Sequence, residues 1–464
     1  MHSRHSSCLA LACLLAAAAQ GQQTEPDRHH SPQGEKTTAA QVPAPADWIQ
    51  QNQADRQLGA LLAEALERNP GVAAADARAR AAAHRGKADS ALPDPVLGVT
   101  AFLKSPETRT GPQILTLNLL QELPWLSKLD LEEQVHLFNA AALRADAEAQ
   151  RLALVTEIRR LYYELAFQTR QREITQDFLD HLRQHESISQ SRYATGIGAS
   201  QDVIKIQAEI TLAENLLLDT DQRRIELEAR INDLRDRPAS TMILPAHLPP
   251  GDEIGLQYAE LLDVAMESRP EISAADARIA ATEARLQQSE KVYRPNFKVG
   301  LTYTFVDPRQ DPAGMVMPPD GNGDDIFGIQ GGISIPLWRK SLDARVEEAS
   351  QMELSAREAK RETVAGIRAS IGDLMQRLPL SWQQLRLLED ILVLQAEESV
   401  ASAQSGYVSG TFNALDLLDA EHVLFDAETA IARARADYAI QLSRLEGAVG
   451  RPIRDLTNLE SPSS

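Results

Sequence analysis

The segment LLAEALERNPGVAAADAR, residues 61–78, returns as LLDVAMESRPEISAADAR at residues 261–278. Leu61-Leu62, Ala65, Pro70 and the run Ala74–Arg78 recur at a constant spacing of 200, and Pro95 and Pro295 keep it. Further along, Tyr193, Gly196, Asp202 and Glu214 match Tyr407, Gly410, Asp416 and Glu428 at a spacing of 214, retained by Arg237-Pro238 and Arg451-Pro452. Self-similarity at fixed offsets marks a duplicated structural unit. The change of offset places an insertion in the second copy, between the two matching blocks.

Each copy begins with a predicted helix, near Leu58–Ser90 and Tyr258–Val292. A stretch of period-two alternation follows. Val99, Ala101 and Leu103 alternate with Thr100 and Phe102, and Leu115, Leu117 and Leu119 enclose Thr116 and Asn118. In the second copy Val299, Leu301, Tyr303 and Phe305 alternate with Gly300, Thr302 and Thr304. Ile329, Gly331, Ile333 and Ile335 then alternate with Gln330, Gly332 and Ser334. Such alternation marks strands with one apolar and one polar face. The turns are Ser105–Pro112 and the longer Asp307–Asp325, which holds most of the insertion.

Leu123-Pro124-Trp125 and Ile335-Pro336-Leu337-Trp338 close the two hairpins. Helical patterning then runs to Tyr193 and, interrupted once, to Tyr407. At ~1.5 Å per residue the first of these helices is about 100 Å long. Leu154, Ile158, Leu161 and Leu165 keep 4-3-4 spacing, as do Ile206, Ile210, Ala213 and Leu217, and Tyr438, Leu442, Leu445 and Val449. This is the seam of coiled-coil packing. Pro379 should kink the second long helix.

Composition narrows the function. The chain has 464 residues, 43% hydrophobic and 5% aromatic, and a formal net charge of −19. An acidic surface excludes nucleic acid as a partner, because such binding neutralises phosphates with Lys and Arg. Residues 1–19 read as a signal peptide, with His2, Arg4 and His5 ahead of an apolar run that ends at small residues. Both cysteines, Cys8 and Cys13, lie in it, so cleavage after Ala19 leaves no thiol chemistry. Lipidation of Cys13 is the alternative, although Ala10-Leu11-Ala12-Cys13 is an imperfect lipobox. Residues 20–47 read as a flexible linker, whose His29-His30 pair could bind a metal ion, although such composition more often marks a solvated linker. The two repeats occupy 48–245 and 246–453, and 454–464 form a tail.

Four strands of about ten residues have the length that crosses a bilayer as tilted β-structure. Alone they would leave open edges with unpaired backbone groups in lipid. Several subunits must therefore pool their strands, and three give a twelve-strand barrel wide enough to be a conduit. The fold class is mainly α with a small β part, as a duplicated helix–β-hairpin–long helical hairpin unit. The oligomer expected from it is a trimeric α-barrel with a shared 12-stranded transmembrane β-barrel. The competing reading is a soluble periplasmic helical scaffold or pump adaptor. An adaptor has one helical hairpin rather than two, and carries lipoyl-like and small β-barrel segments.

Over residues 48–453 this organisation resembles the TolC-type outer-membrane factors of tripartite efflux pumps and type I secretion. Tyr407-x-x-Gly410-x-x-x-x-x-Asp416-x-x-Asp419-Ala420 looks like the family's second periplasmic hairpin. The resemblance implies a homotrimer in outer-membrane lipid, a periplasmic helical tunnel, and docking through a periplasmic adaptor to an inner-membrane RND-type pump. It assigns adaptor contact to the helical tips, Gly196-Ile197-Gly198 and Gly410-Thr411-Phe412. It also makes Asp416 and Asp419 an acidic ring at the periplasmic aperture, six carboxylates in a trimer. Phe412 stands where a family member has a basic residue, and the first copy has Asp202 but Lys205. At the tips, Gly196 and Gly410 are expected helix ends, with Ser200 and Asn413 as N-caps of the returning helices.

Two further groups invite metal. His181 and His185 stand at i, i+4, a spacing that can chelate a transition ion but more often marks a wet helix face. Met315 and Met317 lie in the long outer loop, and thioethers suit monovalent copper or silver. The outer-loop sequence and the hairpin endings are similar to heavy-metal branches of the family, so metal cations are the expected cargo. No resident metal, cofactor or catalytic residue is expected: phosphate loop, nucleophile elbow and zinc signature are all absent from the sequence.

Overall fold

A computed structural model describes residues 55–251, 253–255 and 257–453. The signal peptide, the linker with His29-His30, and the tail lie outside the described residues. The protein is mostly helical, at 72%, with one small sheet.

The first repeat runs α1 (Arg56–Arg68), α2 (Pro70–Asp89), β1 (Val96–Ala101), β2 (Glu107–Thr108), β3 (Gly111–Leu123), α3 (Leu126–Ala194) and α4 (Ser200–Leu234). The second runs α5 (Tyr258–Ser268), α6 (Pro270–Glu290), β4 (Phe297–Val306), α7 (Pro312–Val316), β5 (Ile326–Ile333), α8 (Arg339–Leu387), α9 (Val393–Ser409) and α10 (Ala414–Val449). The duplication read from the sequence is thus a duplication of elements. The helix expected over Leu58–Ser90 is two helices, and so is its counterpart in the second copy. Each breaks before a proline, because the residue preceding Pro is driven out of the helical region and Pro then fits the first turn. Asn69 caps the new start by accepting from Val72 N–H at 3.1 Å.

Helix α3 is 69 residues long with neither Gly nor Pro, so nothing interrupts its hydrogen-bond ladder over about 100 Å. The second long helix is less regular. It continues through Pro379, and its ladder changes to a π turn at Leu388–Leu392 before α9 resumes. The expected irregularity is there, but the α pattern yields at this turn rather than at the proline.

Towards the sheet the helices stand side by side in the order α2, α3, α6, α8; towards the far tips the order is α4, α3, α10, α9. The 4-3 seams close this layer. Leu154, Ile158, Leu161 and Leu165 of α3 are buried with Ile231 of α4 and Ile440 of α10, and Leu58 and Leu62 of α1 cover them. A matching cluster sets Leu261 and Ala265 of α5 on Ile367, Ile371 and Leu374 of α8 and Leu445 and Val449 of α10. Between the clusters Arg159 of α3 is paired with Glu446 of α10, both side chains almost fully buried. Burial alone would lower Arg159, but Glu446 and the Tyr163 hydroxyl together hold the guanidinium above its ordinary range.

The strands form one antiparallel sheet in the order β1-β3-β4-β5, with β2 a short addition paired to the start of β3. The central pair β3–β4 joins the two repeats in register from Leu115↔Phe305 to Leu123↔Phe297. Strands β1 and β5 each end two residues before the last alternating residue anticipated, Leu103 and Ile335.

Candidate functional site: the barrel wall and the helical tips

The register decides which side chains share a face. Leu97 and Val99 stand opposite Leu119 and Leu117, which stand opposite Leu301 and Tyr303, which stand opposite Ile329 and Phe327. This face is apolar across all four strands, and Leu97, Val99, Phe327 and Ile329 are each more than 60% exposed. The other face carries Thr100, Thr116, Asn118, Thr302, Thr304 and Gln330. Its groups bond across the strands: Thr116 and Thr304 hydroxyls meet at 3.0 Å, and Thr302 donates to Asn118 Oδ1 at 2.9 Å. A dry outside and a hydrogen-bonded wet inside is the side-chain logic of a membrane barrel wall.

Aromatic residues bound the apolar band. Trp125 lies 6.2 Å from Phe297 at the helical end, under the Arg294 guanidinium, and Trp338, just after β5, is exposed. At the other end Tyr303 and Phe305 meet edge to face. From Phe297 to Phe305 the strand rises about 27 Å, close to the ~25 Å band of outer-membrane barrels. Among the described residues no helix is long and apolar enough to cross a membrane. Both outer edges, of β1 and of β5, are unpaired in the sheet of one chain, and the barrel is not closed by it.

Beyond the sheet, the outer loop is more ordered than its composition suggested. It contains the short helix α7, and Asp325 accepts from Val306 N–H and the Tyr303 hydroxyl at 3.0 and 2.8 Å. Arg309 forks onto Asp311, and Gly323 N–H reaches Thr110 of the first hairpin. Met315 and Met317 are well exposed at its end.

The tips at the opposite end follow one plan. Gly196 and Gly410 adopt φ of +78° and +80°, the left-handed region that glycine enters without penalty. Ile197 and Gly198 N–H groups donate to Arg192 O, and Thr411 and Phe412 N–H groups donate to Gly406 O. Phe412 packs directly on Gly406, where a β-carbon would lie 2.2 Å from its ring. Asn413 is the N-cap expected of it: its side chain accepts from Leu415 and Asp416 N–H, and Asp416 returns the bond to Asn413 N–H at 2.9 Å. Ser200 is not a cap. The first tip is tied off by backbone bonds one residue earlier, so Ala199 holds the cap position without a side-chain bond. Asp416 and Asp419 are both exposed, whereas their helix neighbours Leu417, Leu418 and Ala420 are buried. Asp416 is therefore a capping residue as well as a surface carboxylate, and Asn413-x-x-Asp416 was a legible signal for it.

The His181–His185 spacing does not produce a chelate. His181 is exposed, whereas His185 turns inward and bonds Glu421 of α10 at 2.6 Å. Among the described residues no group of three or more His, Cys, Asp or Glu is placed to hold a metal. The sequence reading missed the residues that join the two tips. Arg192 donates to Tyr407 O at 3.1 Å and lies 4.5 Å over its ring, and His422 bonds Glu209 at 3.0 Å.

Residues 61–234 and 261–451 each match the sequence profile described as outer membrane efflux protein. Nodulation protein T of Rhizobium leguminosarum bv. trifolii is 23% identical over 383 residues, 78% of each chain. Among solved structures, the outer-membrane channel OprN superposes with a TM-score of 0.73 at 20% identity, covering 92% of this chain and 98% of that one. VceC of Vibrio cholerae gives 0.71 at 22% identity, covering 88% and 98%. These likenesses establish the fold; the profile, which spans both repeats, establishes the family. It also removes the soluble scaffold and adaptor reading. The chain belongs to the outer membrane efflux protein family, as a non-enzymatic outer-membrane channel with a periplasmic helical tunnel.

Proposed function

We propose that the protein works as a homotrimer that passively conducts heavy-metal cations outward from an inner-membrane RND-type pump and its periplasmic adaptor. The observation that carries the channel is the four-strand sheet, apolar on one face, hydrogen-bonded on the other and open at both edges. Closing those edges in lipid needs further copies, and head-to-tail contacts in a ring are the symmetric way to provide them.

The helical layer supports the same closure. Its edge helices each carry a second, unburied seam: Ile204, Leu218 and Ile225 on α4, and Leu380, Leu387, Ile391 and Leu394 along α8–α9. Heptad-spaced apolar residues on both edges fit packing of α4 from one subunit against α8–α9 of the next. Exposed Ile197, Val408 and Phe412 support adaptor contact at the tips Gly196-Ile197-Gly198 and Gly410-Thr411-Phe412. Asp416 and Asp419 become the carboxylates of the periplasmic aperture.

Cation cargo rests on those carboxylates and on the exposed thioethers of Met315 and Met317 at the opposite mouth. Disrupting the gene and measuring growth on silver, copper and hydrophobic drugs tests it. Sensitisation to the metal salts alone supports the assignment. Sensitisation to the drugs alone overturns the cargo and keeps the channel.

A further inference from the structure

The barrel wall is charged with opposite sign at its two ends. Residues 291–306 and 326–342, which hold β4 and β5, contain no Asp or Glu but five cations: Lys291, Arg294, Lys298, Arg339 and Lys340. All five lie at the helical end of these strands, which is the periplasmic one. The loop at the other end carries Asp307, Asp311, Asp320, Asp324 and Asp325 against Arg309 alone. In a chain of net charge −19, the basic end is a local reversal.

The register sorts these cations by face. Phe297 stands opposite Leu123 and Ile333 on the apolar face, whereas Lys298 is on the wet face, 4.0 Å from Glu122. Trp125 lies against Phe297, and the Arg294 guanidinium lies 5.7 Å over the Trp125 ring, so Arg294 flanks the apolar face. Arg339 is level with it, its guanidinium 5.4 Å over the ring of Tyr293, the residue before Arg294. Its sequence neighbours Leu337, Trp338 and Lys340 are exposed, Trp338 to 82%. Among the described residues no carboxylate is paired with Arg294, Arg339 or Lys340; Asp343, further along α8, accepts from the Tyr293 hydroxyl instead. Arg339 and Lys340 open α8, whose first turn has no acid. Cations there oppose the helix dipole, so they do not serve the helix.

We propose that this flank binds anionic phospholipid of the periplasmic leaflet, with Arg294, Arg339 and Lys340 on the headgroup and Trp125, Phe297 and Trp338 along the start of the acyl chains. It rests on the facing of the barrel wall described above. A guanidinium is flat and weakly hydrated, so it can rest on an indole and still aim its N–H groups at a phosphate. The indole in turn sits where headgroup meets acyl chain. Free phosphate would meet the same cations but gain nothing from the exposed apolar rings, which continue the apolar band downward. A zwitterionic lipid would fill the apolar part and leave the excess positive charge unbalanced. The occupant that satisfies both halves is a lipid with net negative charge.

The test titrates the purified full-length protein, in uncharged detergent, with phosphatidylglycerol or phosphatidylethanolamine of the same acyl chains, and reads bound lipid by native mass spectrometry. Phosphatidylglycerol should bind at least about tenfold tighter. R294Q should weaken it about fivefold and R339Q/K340Q about 25-fold, the gain per cation beside an anionic surface. K298Q makes the same charge change on the wet face and should leave the preference intact. If R294Q does not fold, R339Q/K340Q, at exposed positions, decides. Equal affinity for the two lipids, as when a neighbouring chain covers the flank, overturns the proposal. So does an unchanged preference in R294Q and R339Q/K340Q, or an equal loss in K298Q. Inorganic phosphate that displaces the lipid at matched concentration makes this a phosphate site and overturns the lipid assignment.

Discussion

Replacing Leu301 with arginine tests the facing of the sheet at its most demanding point. Leu301 is flanked by Leu119 and Ile329 across the strands and lies midway between Phe297 and Phe305. Each girdle is then about 14 Å away, which places the side chain near the bilayer midplane. A cationic side chain there costs about 2–4 kcal/mol. That is roughly 30- to 1000-fold in the folding equilibrium per chain, repeated in every copy of the barrel. The neighbour Thr302 is the control. Thr302→Arg loses one hydrogen bond to Asn118 but places its charge on the wet face, at a cost of about 1 kcal/mol. Urea unfolding of the protein folded into vesicles should show L301R strongly shifted and T302R close to wild type. If T302R fails and L301R folds normally, the two faces are reversed and the reasoning is refuted.

Glu446→Ala should destabilise the helical layer by about 3–5 kcal/mol, because it takes the carboxylate from buried Arg159, whereas Arg159→Met/Glu446→Leu should recover most of that loss; thermal denaturation of the single and double variants measures it. Asp416→Asn/Asp419→Asn removes both carboxylates proposed for the aperture from each subunit, and single-channel cation selectivity and block by multivalent cations from the periplasmic side should both fall. Asp419→Asn alone separates this from the capping role of Asp416, and unchanged selectivity in a correctly assembled double variant would reject the acidic ring. An epitope inserted beside Asp320 should be reached by antibody on intact cells with export retained, since Asp320 is exposed beyond α7; labelling only after rupture of the outer membrane would invert the topology.

The fold was legible because its two periods are strong and appear twice. Strands alternating every second residue and helices with 4-3 seams left little room for another architecture, and the seam residues Ile158, Leu161 and Leu445 are buried as their spacing demands. Local chemistry at chain ends was legible in part. Asn413 announces its cap, whereas Ser200 looks equally suited and is displaced by backbone bonds that spacing does not encode. The His185–Glu421 bond was illegible for a simple reason: the two residues are 236 positions apart, and the partner that turns His185 inward belongs to the other repeat. Sequence alone could only pair His185 with His181, its helical neighbour. The sheet edges were the opposite case, since four strands already implied that one chain could not close them.

The mass of the conducting particle tests the central claim most directly. The protein is solubilised from outer membranes in detergent, its protein mass is measured by light scattering or native mass spectrometry, and the same fraction is placed in planar bilayers. Pooling four strands per chain into a twelve-strand barrel predicts three chains in the species that conducts. A stable monomer that conducts ions would contradict it.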